Sequence, residues 1–338
     1  MKVATGLATG PKPVAELAHE AVSLALTQAG LTRADQVILF LSRDFARNPQ
    51  PALLAAARTA GCLSISGSTA NGIFTEQSAQ SDQSAAGAMI FAGSAAELPT
   101  DHPLISFSTH GRLPVGWQND HLRAGFLDSD GEAWSHGRIA EHGCVEIQLP
   151  AARVECITST GQRTLGSAQL VGACRGYELQ KLGGHTAIDS LRRALPPELR
   201  ERPPLHQISL LRHPDAPGVA ILSANADGSL MLADALAQEE SVIWAIRQPL
   251  TAEQQIRNAF DDCRQRQTSP SFALMFSCIG RGPLFYGDED RDRQAFCTSF
   301  PETPLLGAYG TGQIIPWAGS NQLYHNAVLT LLYESSHV

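Results

Sequence analysis

Between Ser271 and Pro316 two short apolar runs each end in small and polar residues: Phe272 to Phe276 leads into Ser277-Cys278-Ile279-Gly280-Arg281-Gly282, and Leu305 to Tyr309 leads into Gly310-Thr311-Gly312-Gln313. Glycines let backbone N–H groups approach a ligand closely, and a guanidinium between Gly280 and Gly282 offers a carboxylate a planar, two-pronged grip. Arg281→Ala is then expected to weaken an anionic ligand at least ~10-fold with the free protein's stability unchanged. The alternative pairs Arg281 with Asp288, Glu289 or Asp290, pinning the loop. Cys278 is the nucleophile candidate, since a nearby cation favours the thiolate; it also fits the small buried hydrophobe that free cysteine commonly is. Gly67-Ser68-Thr69-Ala70-Asn71-Gly72 repeats this small-polar character, with Thr69 and Asn71 set against Thr311 and Gln313. Ser68 and Thr69 can donate to a ligand carboxylate or satisfy their own turn. His136 and His142, with Cys144 beyond, could assemble a metal or haem site or belong to an ordinary hairpin.

Signatures of stronger chemistry are missing. Glycines 307, 310 and 312 read GxxGxG and run into IIPW, which cannot start a helix that would hold a pyrophosphate. There is no GxxxxGK[ST] and no serine flanked by glycines in the nucleophile-elbow pattern. An enzyme is therefore the less favoured class, and a Cys278-dependent hydrolase or transferase lacks a base. The formal charge of -8, with no basic run, argues against a nucleic-acid surface. Seven cysteines without CxxC spacing suggest reduced thiols and neither a disulfide framework nor a zinc site. No charged leader with a long apolar stretch and no run of membrane-span length occurs, so a soluble cytoplasmic protein without membrane insertion is expected.

The elements that must position these residues follow a βαβαβ order twice. In the first half, strands at Val3 to Ala8, Val37 to Leu41 and Cys62 to Ser66 alternate with a helix ending at Gly30 and one capped by Asn48 and ending at Gly61. In the second, Val242 to Ile246 is followed by a helix with a Thr251/Gln254 capping box, the strand from Phe272, a charged helix over Asp288 to Arg293, and the strand from Leu305. Short strands between these blocks have antiparallel spacing, and the prolines 196, 197, 203 and 204 mark a linker. The fold class expected is α/β (mixed α+β): two halves related by internal duplication, each a βαβαβ unit with added antiparallel strands, layered with helices outside two facing sheets.

FSCIGRG, GAYGTGQIIP and LYHNAVLTLL resemble the C-terminal half of FIST-domain proteins, LQKLGGHTAIDSLRRALP resembles the segment joining their halves, and LSRDFARNPQPALLAAARTAGCLSISGSTANGIF looks like the N-terminal half. Gln313 stands where the family often has an acidic residue, and Gly183-Gly184 where Asp-Gly is usual. The resemblance implies a FIST N-terminal-like domain over 1–186 and a FIST C-terminal-like domain over 187–338. It also implies an intracellular sensor for a small ligand, an amino acid or other small carboxylate. Such a sensor acts through a separate output protein such as a histidine kinase, chemoreceptor or cyclase. Its ligand-binding candidates are Ser68, Thr69, Asn71, Cys278, Gly280, Arg281, Gly282, Tyr309, Gly310, Thr311, Gln313, His325 and Asn326. No cofactor is expected. The alternative within binding proteins is a haem-binding nitric oxide sensor, with His325, His136 and His142 as axial candidates.

Overall fold

The computed structural model describes residues 1–93, 102–214, 216–287 and 289–335, and divides into two compact units, Met1–Ser159 with Ile256–Val338, and Thr160–Gln255. In chain order the elements are β1 (Lys2–Gly10), α1 (Ala15–Ala29), β2 (Gln36–Ser42), a 3-10 turn (Arg43–Arg47), α2 (Gln50–Ala60), β3 (Ile65–Ala70), β4 (Ile73–Thr75), β5 (Ala79–Gln80), β6 (Ser84–Ala92), β7 (Leu104–Ser108), β8 (Arg123–Leu127), β9 (Ala133–Ser135), β10 (Arg138–Ile139), β11 (Cys144–Ile147) and β12 (Arg153–Ser159). The second unit contributes β13 (Gln162–Arg175), β14 (Glu178–Leu182), β15 (His185–Thr186), α3 (Ala187–Ala194), β16 (Ile208–Leu211), β17 (Val219–Ala224), β18 (Leu230–Leu232) and β19 (Ser241–Arg247). Then come α4 (Pro249–Gln265), β20 (Phe272–Cys278), α5 (Pro283–Tyr286), α6 (Arg291–Ser299), β21 (Leu305–Gly310), β22 (Gly312–Trp317), β23 (Ser320–Tyr324) and β24 (Val328–Glu334).

Two sheets of the first unit have one plan. Their orders are β1-β6-β2-β3-β9-β10 and β12-β24-β20-β21-β4-β5. Each holds one parallel pair, with Val37 to Ser42 opposite Ile65 to Ala70 and Ala273 to Cys278 opposite Leu305 to Gly310. In each, an antiparallel strand separates that pair from the outer strand. The βαβαβ order along the chain is therefore present in the first set, but its outer strand is not a neighbour of the parallel pair. In the second set the outer strand is β12, not Val242 to Ile246, which lies in β19 of the other unit. Register sets Thr69 with Tyr309 and Asn71 with Thr311, two residues away from the correspondence expected. The compact units likewise cross the division between 1–186 and 187–338, because strands from both sides of it share sheets.

Alternation along the strands explains the layers. Ile38 and Phe40 of β2 join Leu274 and Phe276 of β20 in one core between the sheets. Val37, Leu39 and Leu41 face the other way, onto Ala18 and Val22 of α1 and Leu53 of α2. Ala273 and Met275 meet Ile256 and Phe260 of α4 and Phe296 of α6. Helices thus cover the outer faces of two facing sheets, as expected. Phe40, Phe107, Phe126 and Phe276 pack at the centre with ring centroids 5.2 to 6.2 Å apart. A third sheet, β11-β7-β8-β22-β23, joins strands from before and after the second unit.

Local differences have physical reasons. The stretch 67–70, expected as a loop, is buried strand in β3. A Cβ on Gly67 would lie 1.9 Å from the Leu39 carbonyl oxygen, so the small residues there permit close strand packing. Helix α2 starts behind Pro49 without a side-chain cap from Asn48. Helix α4 opens at Pro249, leaving Thr251 and Gln254 inside it, where no capping box can form. Asp288 lies outside the described residues; α6 begins at Arg291, capped by the Asp290 carboxylate.

In the second unit β13 pairs with both β19 and β14, which closes an antiparallel sheet on itself. Trp244, Leu210, Leu182 and Leu191 fill its core. The proline segment expected as a linker runs inside this unit, after α3. Among the described residues no helix is long and apolar enough to cross a membrane.

Candidate functional site

In the first unit the chain leaving β2, β3, β8 and β21 converges on the buried carboxylate of Asp128. Its Oδ2 accepts the Thr69 hydroxyl at 2.5 Å, while Oδ1 accepts Asn71 Nδ2 at 2.9 Å and Arg43 Nη2 at 3.0 Å. Burial pushes the Asp128 carboxyl pKa up, against the opposing effects of Thr69, Arg43 and Asn71. Gly131 closes the loop beneath this group; a Cβ there would fall 2.2 Å from both Asp128 Oδ2 and Thr69 Oγ1. Next along the chain, the Ser129 amide donates to Thr311 Oγ1 at 3.2 Å, and the two hydroxyls are 3.0 Å apart. Asn71 N donates to Tyr309 O at 2.8 Å and Tyr309 N to Gly72 O at 2.9 Å, so the ends of β3 and β21 hold each other directly.

Thr69, Asn71 and Thr311 of the sequence candidates are therefore brought together. Cys278, His325 and Asn326 gather on the far side of Thr311. The Cys278 thiol approaches Thr311 O at 3.9 Å and His325 Nδ1 approaches the same oxygen at 3.1 Å. A carbonyl oxygen only accepts, so His325 Nδ1 carries the proton in that bond. Cys278 is also buried, as expected of a packing thiol.

Other candidates serve packing. Ser68 is buried and donates to Thr69 O at 3.0 Å. A Cβ on Gly280 would meet Asn326 Oδ1 at 2.5 Å, one on Gly282 the Tyr309 ring at 2.6 Å, and one on Gly310 the Phe126 ring at 2.5 Å. These three glycines thus admit neighbouring side chains, where backbone approach to a ligand was expected. Gln313 shares a face with Ile315, Phe126 and Tyr324 of the intersheet core, and both polar atoms of its buried amide have no hydrogen-bond partner among the described residues.

Arg281 departs furthest from expectation. It is fully buried and binds Asp292 with Nε at 2.7 Å and Nη2 at 3.0 Å, and Ser159 with Nη1 at 2.9 Å and Nη2 at 2.9 Å. Burial alone would lower its pKa, but the Asp292 charge outweighs that and the pKa rises. The Tyr286 hydroxyl also donates to Asp292, at 2.8 Å. The partner is Asp292, outside the trio considered from sequence, because α6 turns it inward from the helix's first turn. Tyr309 belongs to the same layer: its hydroxyl donates to Asp290, whose pKa burial and the Asp292 charge push up to about 6. These two line a cavity of about 330 Å³ with Arg293, Glu289 and Asp82.

A larger cavity, about 490 Å³, opens at the end of β2. Arg43, Asp44, Phe45, Arg47 and Asn48 line it from the connecting turn, with Pro13, Ala15, Pro51 and Ala52 from the starts of α1 and α2. Arg43 belongs both to this cavity and to the Asp128 cluster. Sequence reasoning weighed the small-polar stretch 67–72 and the loops after β20 and β21, but not the one after β2; the two arginines in LSRDFARNPQ, just past a buried strand, were the available signal.

His136, His142 and His325 lie in three different turns, all exposed, and neither cavity is lined by histidine. Among the described residues no group of His, Cys, Asp and Glu could hold a metal ion. Haem requires an axial side chain aimed into an enclosed apolar space, and these three histidines do not fit it.

Relatives exist among mycobacterial proteins. The chain is 26% identical over 200 residues to "Uncharacterized protein Rv0628c" of Mycobacterium tuberculosis (strain ATCC 25618 / H37Rv), covering 55% of this chain and 52% of that protein. The same figures hold for "Uncharacterized protein Mb0898c" of Mycobacterium bovis (strain ATCC BAA-935 / AF2122/97). The chain thus spans about half the length of the curated relatives it matches. Residues 187–316 match the family model of the FIST C domain, a sensor-type domain of signal transduction, and over that stretch the chain is similar to this family.

Proposed function

We propose that the chain is a cytoplasmic small-ligand sensor, that its ligand is an amino acid or other small carboxylate, and that it acts through a separate output protein. The observation that carries this reading is the Asp128 cluster, where strand ends from both sheets are tied through Thr69, Asn71, Arg43 and, beside it, Ser129 and Thr311. A ligand that displaces any member changes how the two strand ends are held, which is the differential contact a sensor needs. The shared order and register of the two sheets support reading them as products of an internal duplication interrupted by the Thr160–Gln255 unit. The family division at 186/187 would then mark ancestry and not packing.

A thermal-shift screen of amino acids and small carboxylates tests the ligand class. A compound present at ~100 times its Kd adds about 2.7 kcal/mol to stability, which is readily seen. No shift from any compound at saturating concentration sinks the reading. The thiol-enzyme alternative is less favoured, since the Cys278 thiol is buried and directed at the Thr311 carbonyl.

A further inference from the structure

We infer that the cavity at the end of β2 is a site for a small organic molecule with a doubly charged oxyanion head, a phosphate ester or a paired carboxylate. This rests on the sensor reading above and names the chemistry of its ligand. Three charged side chains line the space: Arg43, Asp44 and Arg47. Asp44 is occupied elsewhere, its Oδ1 accepting the Ser42 hydroxyl at 2.5 Å and its Oδ2 the Ser84 hydroxyl. Arg43 spends only Nη2 on Asp128 and the Ser129 carbonyl, so its Nε and Nη1 make no hydrogen bond among the described residues. The Arg47 guanidinium has no hydrogen bond or ion pair among them. Two guanidinium groups with unused donors therefore face one space of about 490 Å³, a volume typical of small-ligand sites.

The backbone adds to the same sign. Helices α1 and α2 both begin at this cavity, and neither N-cap residue, Val14 or Pro49, supplies a side-chain acceptor to the first turn. The positive ends of two helices thus supplement two arginines. A singly charged carboxylate is matched by one guanidinium; two guanidinium groups and two helix ends match a dianion. Phe45 and Pro51 form an apolar wall for the rest of the molecule. An oxyanion that engages Arg43 competes with Asp128 for it, which connects occupancy of the cavity to the Thr69 and Asn71 contacts on the same carboxylate.

The test uses the full chain at low ionic strength in a zwitterionic buffer, titrated with inorganic phosphate and, separately, with succinate. Saturable binding of at least one probe is expected, weakened at least 10-fold by Arg47→Ala and abolished by Arg47→Glu. Arg47 is exposed, and the free variants should melt with the wild type. Tighter phosphate assigns a phosphate ester; tighter succinate assigns a dicarboxylate. Binding of neither probe, or binding that Arg47→Glu leaves unchanged, overturns the site. A neutral amino acid that stabilises wild type and Arg47→Glu equally also overturns it while leaving the sensor reading intact, whereas silence of the whole screen and of both probes removes both.

Discussion

Arg281→Ala should destabilise the free protein severely. The guanidinium makes four hydrogen bonds, two to Asp292 and two to Ser159, and both ionic side chains are 0% exposed. Truncation leaves the Asp292 carboxylate in a dry site with the Tyr286 hydroxyl to answer it. Removing one partner of such a pair costs roughly 3–5 kcal/mol. For a unit of this size 1 kcal/mol moves Tm by about 2–4 °C, so a fall of roughly 6–20 °C is expected by calorimetry. Replacing both partners, Arg281→Met with Asp292→Leu, should recover most of the loss, because no buried charge is then left alone. A Tm within about 2 °C of wild type for the single variant would refute the reasoning and return Arg281 to the ligand-facing role first read from its glycine neighbours. Failure of the double variant to recover would show that the Ser159 contacts, and not the charge balance, carry the effect.

Gln313→Met should stabilise the protein by about 1–2 kcal/mol in urea denaturation, since a buried amide without partners costs roughly 1–3 kcal/mol and methionine nearly keeps its volume; a loss of stability would mean that Gln313 is satisfied by a molecule inside the core. Asp290 holds its proton more tightly folded than unfolded, its pKa rising from 3.8 to about 6. Its contribution to stability is thus full below about pH 4 and is lost as pH rises through 6. Asp290→Asn, which can still cap α6, should remove up to about 3 kcal/mol of that dependence and so gain on wild type between pH 4 and pH 7; parallel stability profiles of the two proteins would refute this. Titration with haemin should give no stoichiometric Soret shift, and a saturable one lost in His325→Ala would overturn the assignment of that side chain to Thr311 O.

Much of the layered architecture was legible because Val37 to Leu41 and Phe272 to Phe276 are apolar on both faces, as strands sandwiched between helices and a second sheet must be. β3 was misplaced because Gly67, Ser68 and Thr69 look like turn residues, and only the approach of Leu39 and Trp134 makes small side chains necessary in a strand. The outer strand of the second sheet was misassigned because β12 is separated from α4 by the whole second unit, a distance no periodicity spans. Of the candidate site, Thr69, Asn71 and Thr311 stood out in the sequence through their mirrored small-polar stretches. Asp128 was not, since a lone aspartate after a short strand carries no spacing signal, and its role arises from three donors brought from 57, 59 and 85 residues away. Arg281 shows the converse: flanking glycines looked like access to a ligand, yet they accommodate Tyr309 and Asn326.

The sharing of strands between early and late chain has a consequence for biogenesis. The hairpin β4-β5 and strand β12 leave the ribosome long before β21 and β24, the strands they pair with. At translation rates of ~5–20 residues per second the wait between β12 and β24 is on the order of 10–30 s. During it the nascent chain presents unpaired strand edges, and the first sheet must form with one hairpin left outside it. Cutting the gene between residues 186 and 187 would separate these partners, so each fragment would expose such edges and be prone to aggregate, while the two synthesised together would be able to reassemble.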